Sequence, residues 1–233
     1  MYSIINNIIY YIPYLIYVSQ FLFYFFLFVG IDRILGNKIK GKYYLIHFIA
    51  NMIIVYLTLP DVIFTYTNFL LVYLYPINYH SAMVTFSLHF YHIYEYYNSL
   101  KFQDWLHHIT MIFISLPLGI LANSGSLLGH GLFYLTGLPG GIDYLLLCLN
   151  RNEIISKYSE KRINTTLNLW IRSPGCIIHS ALTIISLFMN FKLVNYIDLY
   201  ASIITSVLIF WNGIYFMNRV VSDYAIVTYK KIT

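Results

Sequence analysis

Long apolar stretches alternate with short polar connections along the whole chain. A membrane span needs about 20 mostly apolar residues. Seven stretches meet that need, at approximately 12–31, 43–59, 79–97, 105–121, 127–149, 167–189 and 197–217. An eighth, 61–75, is short, opens with Asp61 after Pro60, contains Asn68 and ends at Pro76. The pattern predicts an all-α fold, a multi-pass transmembrane helical bundle of about seven spans, with 1–233 as one domain. Leu138-Pro139-Gly140-Gly141 interrupts the fifth stretch, where freed backbone groups need neighbouring helices or water. A kink toward a cavity is expected there, and Arg172-Ser173-Pro174-Gly175 plays a similar part early in the sixth.

Charge settles the eighth stretch. Arg33, Lys38, Lys40 and Lys42 crowd the first connection, and Arg151, Lys157, Lys161 and Arg162 crowd the longest one. Short basic connections stay in the cytoplasm. If 61–75 does not cross, seven spans put both there, together with Lys101 and the tail bearing Arg219, Lys230 and Lys231. The segment 61–75 is therefore read as re-entrant or interfacial, the N-terminus as lumenal or outside, and the C-terminus as cytoplasmic. Residues 1–13 hold no basic residue, so the first apolar stretch lacks the charged leader of a cleaved signal and is read as retained.

Composition narrows the class. Hydrophobic residues make up 59% and charged residues 10%, against about 25% charged in soluble domains. The net charge of +5 is scattered over inter-helix segments, which fits membrane topology and anionic lipid rather than nucleic acid. Cys148 and Cys176 sit in apolar stretches and form neither a disulfide framework nor a zinc spacing.

Ionisable residues inside spans are functional candidates by default. His89, His92 and Glu95 fall in the last turns of the third span, at a spacing that shares one helix face. Asp104, His107 and His108 open the fourth span, Asp143 lies near the end of the fifth, and Arg172 lies early in the sixth. The topology gathers these eight residues at the cytoplasmic half of the bundle. His80 and His130 fall near the opposite face and His179 near mid-membrane, where single histidines read as hydrogen-bonded core.

Neutral imidazole is the usual general base near neutral pH, and a carboxylate can orient it. Asp104 and His108 are four residues apart, within reach on one helix face; Asp104 as an N-terminal cap is equally open. Arg172 either snorkels to headgroups or pairs with Asp143. A base at the membrane edge suits deprotonation of a lipid amine or hydroxyl that attacks an activated acyl group. Arg172 and the basic connections suit the phosphates of a soluble donor. The competing chemistry is a metal site, since imidazole and carboxylate suit iron or zinc. Membrane di-iron oxygenases use eight or more histidine ligands, whereas this chain has eight histidines in all, three of them remote, so no metal is assigned.

The segment 87–97, rich in aromatics and carrying His89 and His92, then a turn with Lys101, then Asp104-Trp105-Leu106-His107-His108-Ile109, resembles the TLC-domain family. That family includes ceramide synthases and the translocating-chain-associating membrane protein. The resemblance covers most of the chain and implies an internal membrane, the endoplasmic reticulum in the first instance. For an enzyme of the family it implies N-acylation of a sphingoid-type amine by acyl-CoA, with His107 and His108 catalytic and Asp104 as orienter. His89, His92, Glu95, Asp143 and Arg172 would then bind substrate. Where the family motif has a His-Asp pair and a further Asp, this chain has Asp143 alone. The resemblance implies no bound cofactor beyond acyl-CoA as co-substrate and membrane lipids as partners; a homo-oligomer is left open beside a monomer. A non-enzymatic lipid-binding or membrane-organising protein of the same fold is the rival reading. Trp105–His108 also resembles the His-x-x-His-His box of fatty-acid elongases, with Asp104 in place of the first histidine.

Overall fold

Inside hydrocarbon every backbone N–H and C=O must be satisfied internally, which leaves helices or closed barrels. The computed structural model describes residues 2–36 and 38–232, with side chains at 14–36 and 38–232; the side chains of 1–13, on which the reading of a retained first stretch rests, lie outside the described ones. Among the described residues there are seven long helices and no strand: α1 Tyr2–Leu35, α2 Lys42–Thr67, α3 His80–Tyr96, α4 Phe102–Leu121, α5 Leu127–Arg151, α6 Lys157–Met189 and α7 Tyr196–Ile232. Six of them, all but α3, are long and apolar enough to cross a membrane. α3 has 17 residues, at the short end of the range for a span. It runs parallel to α1, with Tyr17 against Tyr79, Phe21 against Phe90 and Arg33 against Glu95. The chain is an all-α multi-pass bundle.

The helices form a ring in the order α2, α3, α4, α7, α6, α5, which closes on α2, while α1 packs outside α3. Small residues set the close approaches, as expected where lipid removes the hydrophobic drive between helices. Side chains at Gly140 and Gly141 would run into Asn51 and Met52 of α2, and one at Gly213 into Cys176. Ser180 and Ser206 each donate to the other's backbone carbonyl, at 2.8 and 3.2 Å. The first and third connections on the basic side meet directly: Lys40 Nζ lies 3.3 Å from Glu153, and Asn152 Nδ2 donates to the Lys40 carbonyl at 2.7 Å. Both basic connections therefore stand at one end of the ring.

Three expectations change. Pro60 does not end α2, which continues through Asp61 to Thr67. Burial of Thr58, Asp61, Val62 and Thr65, with Thr65 Oγ1 2.9 Å from Ser126 Oγ of α5, outweighs the local penalty of proline. The rest of the eighth stretch is a 3-10 turn, Phe69–Leu74, whose Val72 carbonyl accepts from Ser126 N, so it closes the ring at the end opposite the basic connections. α7 extends to Ile232; at 1.5 Å per residue its 37 residues measure about 55 Å, longer than a hydrocarbon core of about 30 Å. Its last turns pair with the start of α6 through Tyr158 and Tyr224 hydroxyls 3.1 Å apart.

The glycine-proline interruption in α5 faces α2 rather than a cavity. Its backbone effect falls one turn earlier, as a π turn at Phe133–Gly137. The same device occurs at Met111–Ser115 before Pro117 and at Asn168–Arg172 before Pro174. In each case proline sits two residues after the π turn. Its ring would strike the carbonyl four residues back, and the wider turn relieves that collision. These widened turns lie in α4, α5 and α6, three of the four helices around the internal cavity.

Candidate functional site

α3 delivers His89 and His92 from successive turns of one face. A short 3-10 turn, Tyr97–Ser99, reverses the chain into α4, whose first turn is closed by Lys101 N donating to Asp104 Oδ2 at 2.9 Å. Asp104 is thus a cap. The expected contact from Asp104 to His108 is not formed.

His108 instead points its Nδ1 at His89 Nδ1, 2.9 Å away. One of the two nitrogens carries the proton and the other accepts it. His107 joins them: one nitrogen from each of His89, His107 and His108 lies within 4.8 Å of the others. His89 and His108 are buried and His107 is exposed. Imidazole suits zinc, copper, iron and nickel, so among the described residues these three could hold a metal ion. His92, fully buried, packs its ring 5.2 Å from that of His108.

A fifth imidazole, His47 of α2, completes the cluster. Its Nδ1 lies 3.0 Å from the Tyr43 carbonyl and 3.0 Å from His92 Nε2. A carbonyl only accepts, so His47 Nδ1 carries the proton and His92 Nε2 accepts. Neutral His92 then holds its own proton on Nδ1, which is buried without a hydrogen-bond partner. Tyr43 stacks on His92 at 4.2 Å between ring centres, and Tyr144 of α5 lies 4.0 Å from His47.

A carboxylate from α1 braces this wall. Asp32, 2% exposed, accepts from Tyr91 OH at 2.7 Å, Tyr96 OH at 2.9 Å and Lys42 Nζ at 2.6 Å. Glu95 shares the helix face of His92 in sequence but turns toward α1, to Arg33 at 2.8 Å.

Asp143 and Arg172 stand on α5 and α6 at the same end and do not pair. Asp143 Oδ1 accepts from Asn164 Nδ2 at 2.6 Å, and Asn164 Oδ1 accepts from Asn168 Nδ2 at 2.7 Å. Arg172 donates to Asn212 Oδ1 at 3.4 Å and lies 4.3 Å above the Phe216 ring.

Below the cluster an elongated cavity of about 80 Å³ runs between α4, α5, α6 and α7. It begins at Met111, one turn beyond His107 and His108 on the same face of α4, and reaches Ala122, eleven residues or about 16 Å further along. Half of its lining residues are leucine, isoleucine and glycine, and Ser115, Ser124, His179, Thr183, Ser202, Thr205 and Asn212 add polar groups. By volume it holds roughly half a dozen water-sized groups.

The histidines expected to be isolated include a second pair. His130 and His179 bring their Nδ1 atoms to 3.2 Å, and buried Asp61 packs on Gly129, the residue before His130. His80 stands at that end of the ring against Tyr24.

His89, His92, His107 and His108 are thus brought together, whereas Asp104, Glu95, Asp143 and Arg172 make their polar contacts with other groups. His47, Tyr43, Tyr144 and Asp32 were not singled out from sequence. His47 had a legible signal, since it lies five residues past Lys42 and so at the depth of His92. No protein-family model, curated protein or solved structure matches the chain.

Proposed function

We propose that the chain acts on a membrane lipid whose apolar segment lies in the α4–α7 cavity and whose polar end meets the histidine cluster. One observation carries this reading: an apolar cavity that starts one helical turn from five converging imidazoles. Its shape suits alkyl chain, and pockets of this kind fix orientation with a few polar groups at one end. The reaction class we favour is acyl transfer from an acyl-CoA to a sphingoid-type amine, as the TLC-domain resemblance implies. His108 is the proton acceptor in this scheme. Its Nδ1 is held by His89, which takes the orienting role expected of Asp104 and leaves Nε2 for substrate. Arg172, on the same end of the ring, is the cation nearest in character to a phosphate ligand.

The basic connections lie at the histidine end, so the positive-inside rule orients that end to the cytosol, where an acyl-CoA is found. On this reading the N-terminus is lumenal or outside and the C-terminus cytosolic, and the TLC-domain resemblance supports an internal membrane.

Purified protein in lipid nanodiscs, given long-chain acyl-CoA and a sphingoid base, should release coenzyme A. His108→Ala should lower the rate by about 10²–10⁴-fold, the usual worth of a positioned acid–base group. Gly119→Phe should block labelling by a photoreactive lipid, because the position opens on the cavity with only Leu128 nearby, at 3.5 Å. Lipid labelling that Gly119→Phe abolishes, with no acyl transfer by the unmodified protein, would favour the non-enzymatic lipid-binding reading.

A further inference from the structure

The geometry points to a transition-metal site of three imidazoles, in which His89, His107 and His108 bind one divalent ion of the zinc type and leave one coordination position open.

The first support is spacing. Metal–imidazole bonds of about 2.0–2.1 Å at angles of 90–110° place two ligand nitrogens about 2.9–3.4 Å apart. The Nδ1 atoms of His89 and His108 meet that spacing, at 2.9 Å; a His107 nitrogen lies within 4.8 Å of the other two donor atoms, and rotation of its exposed side chain would close the set. An ion bound to both nitrogens displaces the proton now held between His89 and His108. On binding, the Nδ1–H of that ring moves to its Nε2, and both Nδ1 lone pairs become ligands. The imidazoles stay neutral and no net proton is released from them.

The second support is the rigidity of the frame. His89 lies in the middle of α3, and His107 and His108 are adjacent on α4, so two helices fix all three ligands. Behind them the His47–His92 pair backs the site, with the His92 ring centre 5.2 Å from that of His108.

The third support is donor chemistry. The three donors are all imidazole, with no thiolate and no carboxylate among them, a set that suits zinc and its neighbours rather than calcium or magnesium. Three ligands describe an open site rather than a closed structural one, and exposed His107 lies on its accessible side. The ion's double charge is offset in part by Asp104, three residues before His107, and by an anionic fourth ligand. What the ion acts on rests on the lipid reading above; that the ion binds does not. An open ion beside the cavity supplies a Lewis acid for a carbonyl or a bound water, and the three imidazoles are then ligands rather than bases.

The test uses the full chain, purified through a histidine-free tag, loaded with zinc and then freed of excess. We expect about one zinc per chain, an upward shift of the unfolding temperature on loading, and visible ligand-field absorption when cobalt replaces zinc. His89→Gln, His107→Ala and His108→Ala should each weaken binding at least 10-fold, while His80→Ala and His130→Ala leave it unchanged. Circular dichroism identifies any variant that has not folded, and His107→Ala, exposed and least costly to the fold, keeps the test decisive. Zinc absent from the loaded protein, or zinc binding that survives all three variants, overturns the site. Protein that takes up no zinc on loading yet transfers acyl groups overturns the site and leaves the function standing. Metal-loaded protein without acyl transfer does the reverse.

Discussion

Asp32 and Arg33 are neighbours in sequence, both ion-paired, and should differ in what they contribute. Asp32 is 2% exposed and holds Tyr91, Tyr96 and Lys42 at 2.7, 2.9 and 2.6 Å. Asp32→Ala would leave an ammonium and two hydroxyls without their acceptor at the junction of α1, α2 and α3. Breaking a buried pair by removing one partner costs about 3–5 kcal/mol. Each of Tyr91→Phe and Tyr96→Phe removes one hydrogen bond to a charged acceptor, worth about 1.5–3 kcal/mol. Arg33 is two-thirds exposed, but the Glu95 side chain it meets at 2.8 Å is only 9% exposed. Arg33→Ala leaves that carboxylate without its partner, at a cost of about 1–3 kcal/mol, below that of Asp32→Ala because one partner was already solvated. The assay is reversible unfolding in mixed micelles, followed by helical circular dichroism as the denaturing detergent fraction rises. A double-mutant cycle of Asp32→Asn with Tyr91→Phe should show coupling, because both remove the same bond. If Asp32→Ala costs no more than Arg33→Ala, the carboxylate does not brace the wall that carries His92.

Gly129→Ala should destabilise the bundle by about 1–3 kcal/mol, since its new methyl group would fall on the Asp61 carboxyl group and Cβ; the same unfolding assay reads it, and a neutral result would mean α2 and α5 are not this close. His47→Ala removes the partner of His92 Nε2 and should slow acyl transfer at least tenfold with little loss of lipid labelling, whereas His80→Ala should leave the rate unchanged. Lys157→Cys and Lys192→Cys stand in exposed positions at opposite ends of the ring, and should react with an impermeant maleimide from opposite sides of a sealed vesicle. Cys148 and Cys176 are buried and give a low background; labelling of both new thiols from one side would refute the topology. The natural sequon at Asn164 should stay unglycosylated on either side, because Asn164 is 4% exposed and bonded to Asp143 and Asn168; mass spectrometry of the intact chain checks it.

Much of this architecture is local and was readable in the chain. Apolar runs of span length imply helices wherever lipid replaces water. The two basic connections implied a shared end, and Lys40 does touch Asn152 and Glu153 there. Helical spacing put His89 and His92 on one face, and the short hairpin brought His107 and His108 alongside. Depth counting placed these histidines correctly because each residue adds a constant rise.

Direction around a helix is a different matter. Glu95 shares a face with His92 by spacing, but which neighbour that face meets depends on how α1 packs, and Arg33 was there to take it. Asp104 lies within reach of His108, but the unpaired N–H of Lys101 is nearer, and a first-turn carboxylate goes to the helix end. Pro60 reads as a stop in isolation, yet the packing of Asp61 and Thr65 against α5 carries α2 past it. His47 had the right depth but no motif around it. The sequence by itself determined the helices, their order and which polar residues share a depth, because those follow from hydropathy and a fixed rise per residue. Only the tertiary structure decided which of those residues touch, since rotation and neighbour choice are set by close packing between helices far apart in the chain. The triad of His89, His107 and His108, with His47 and His92 behind it and an apolar cavity one turn away, is a product of that packing.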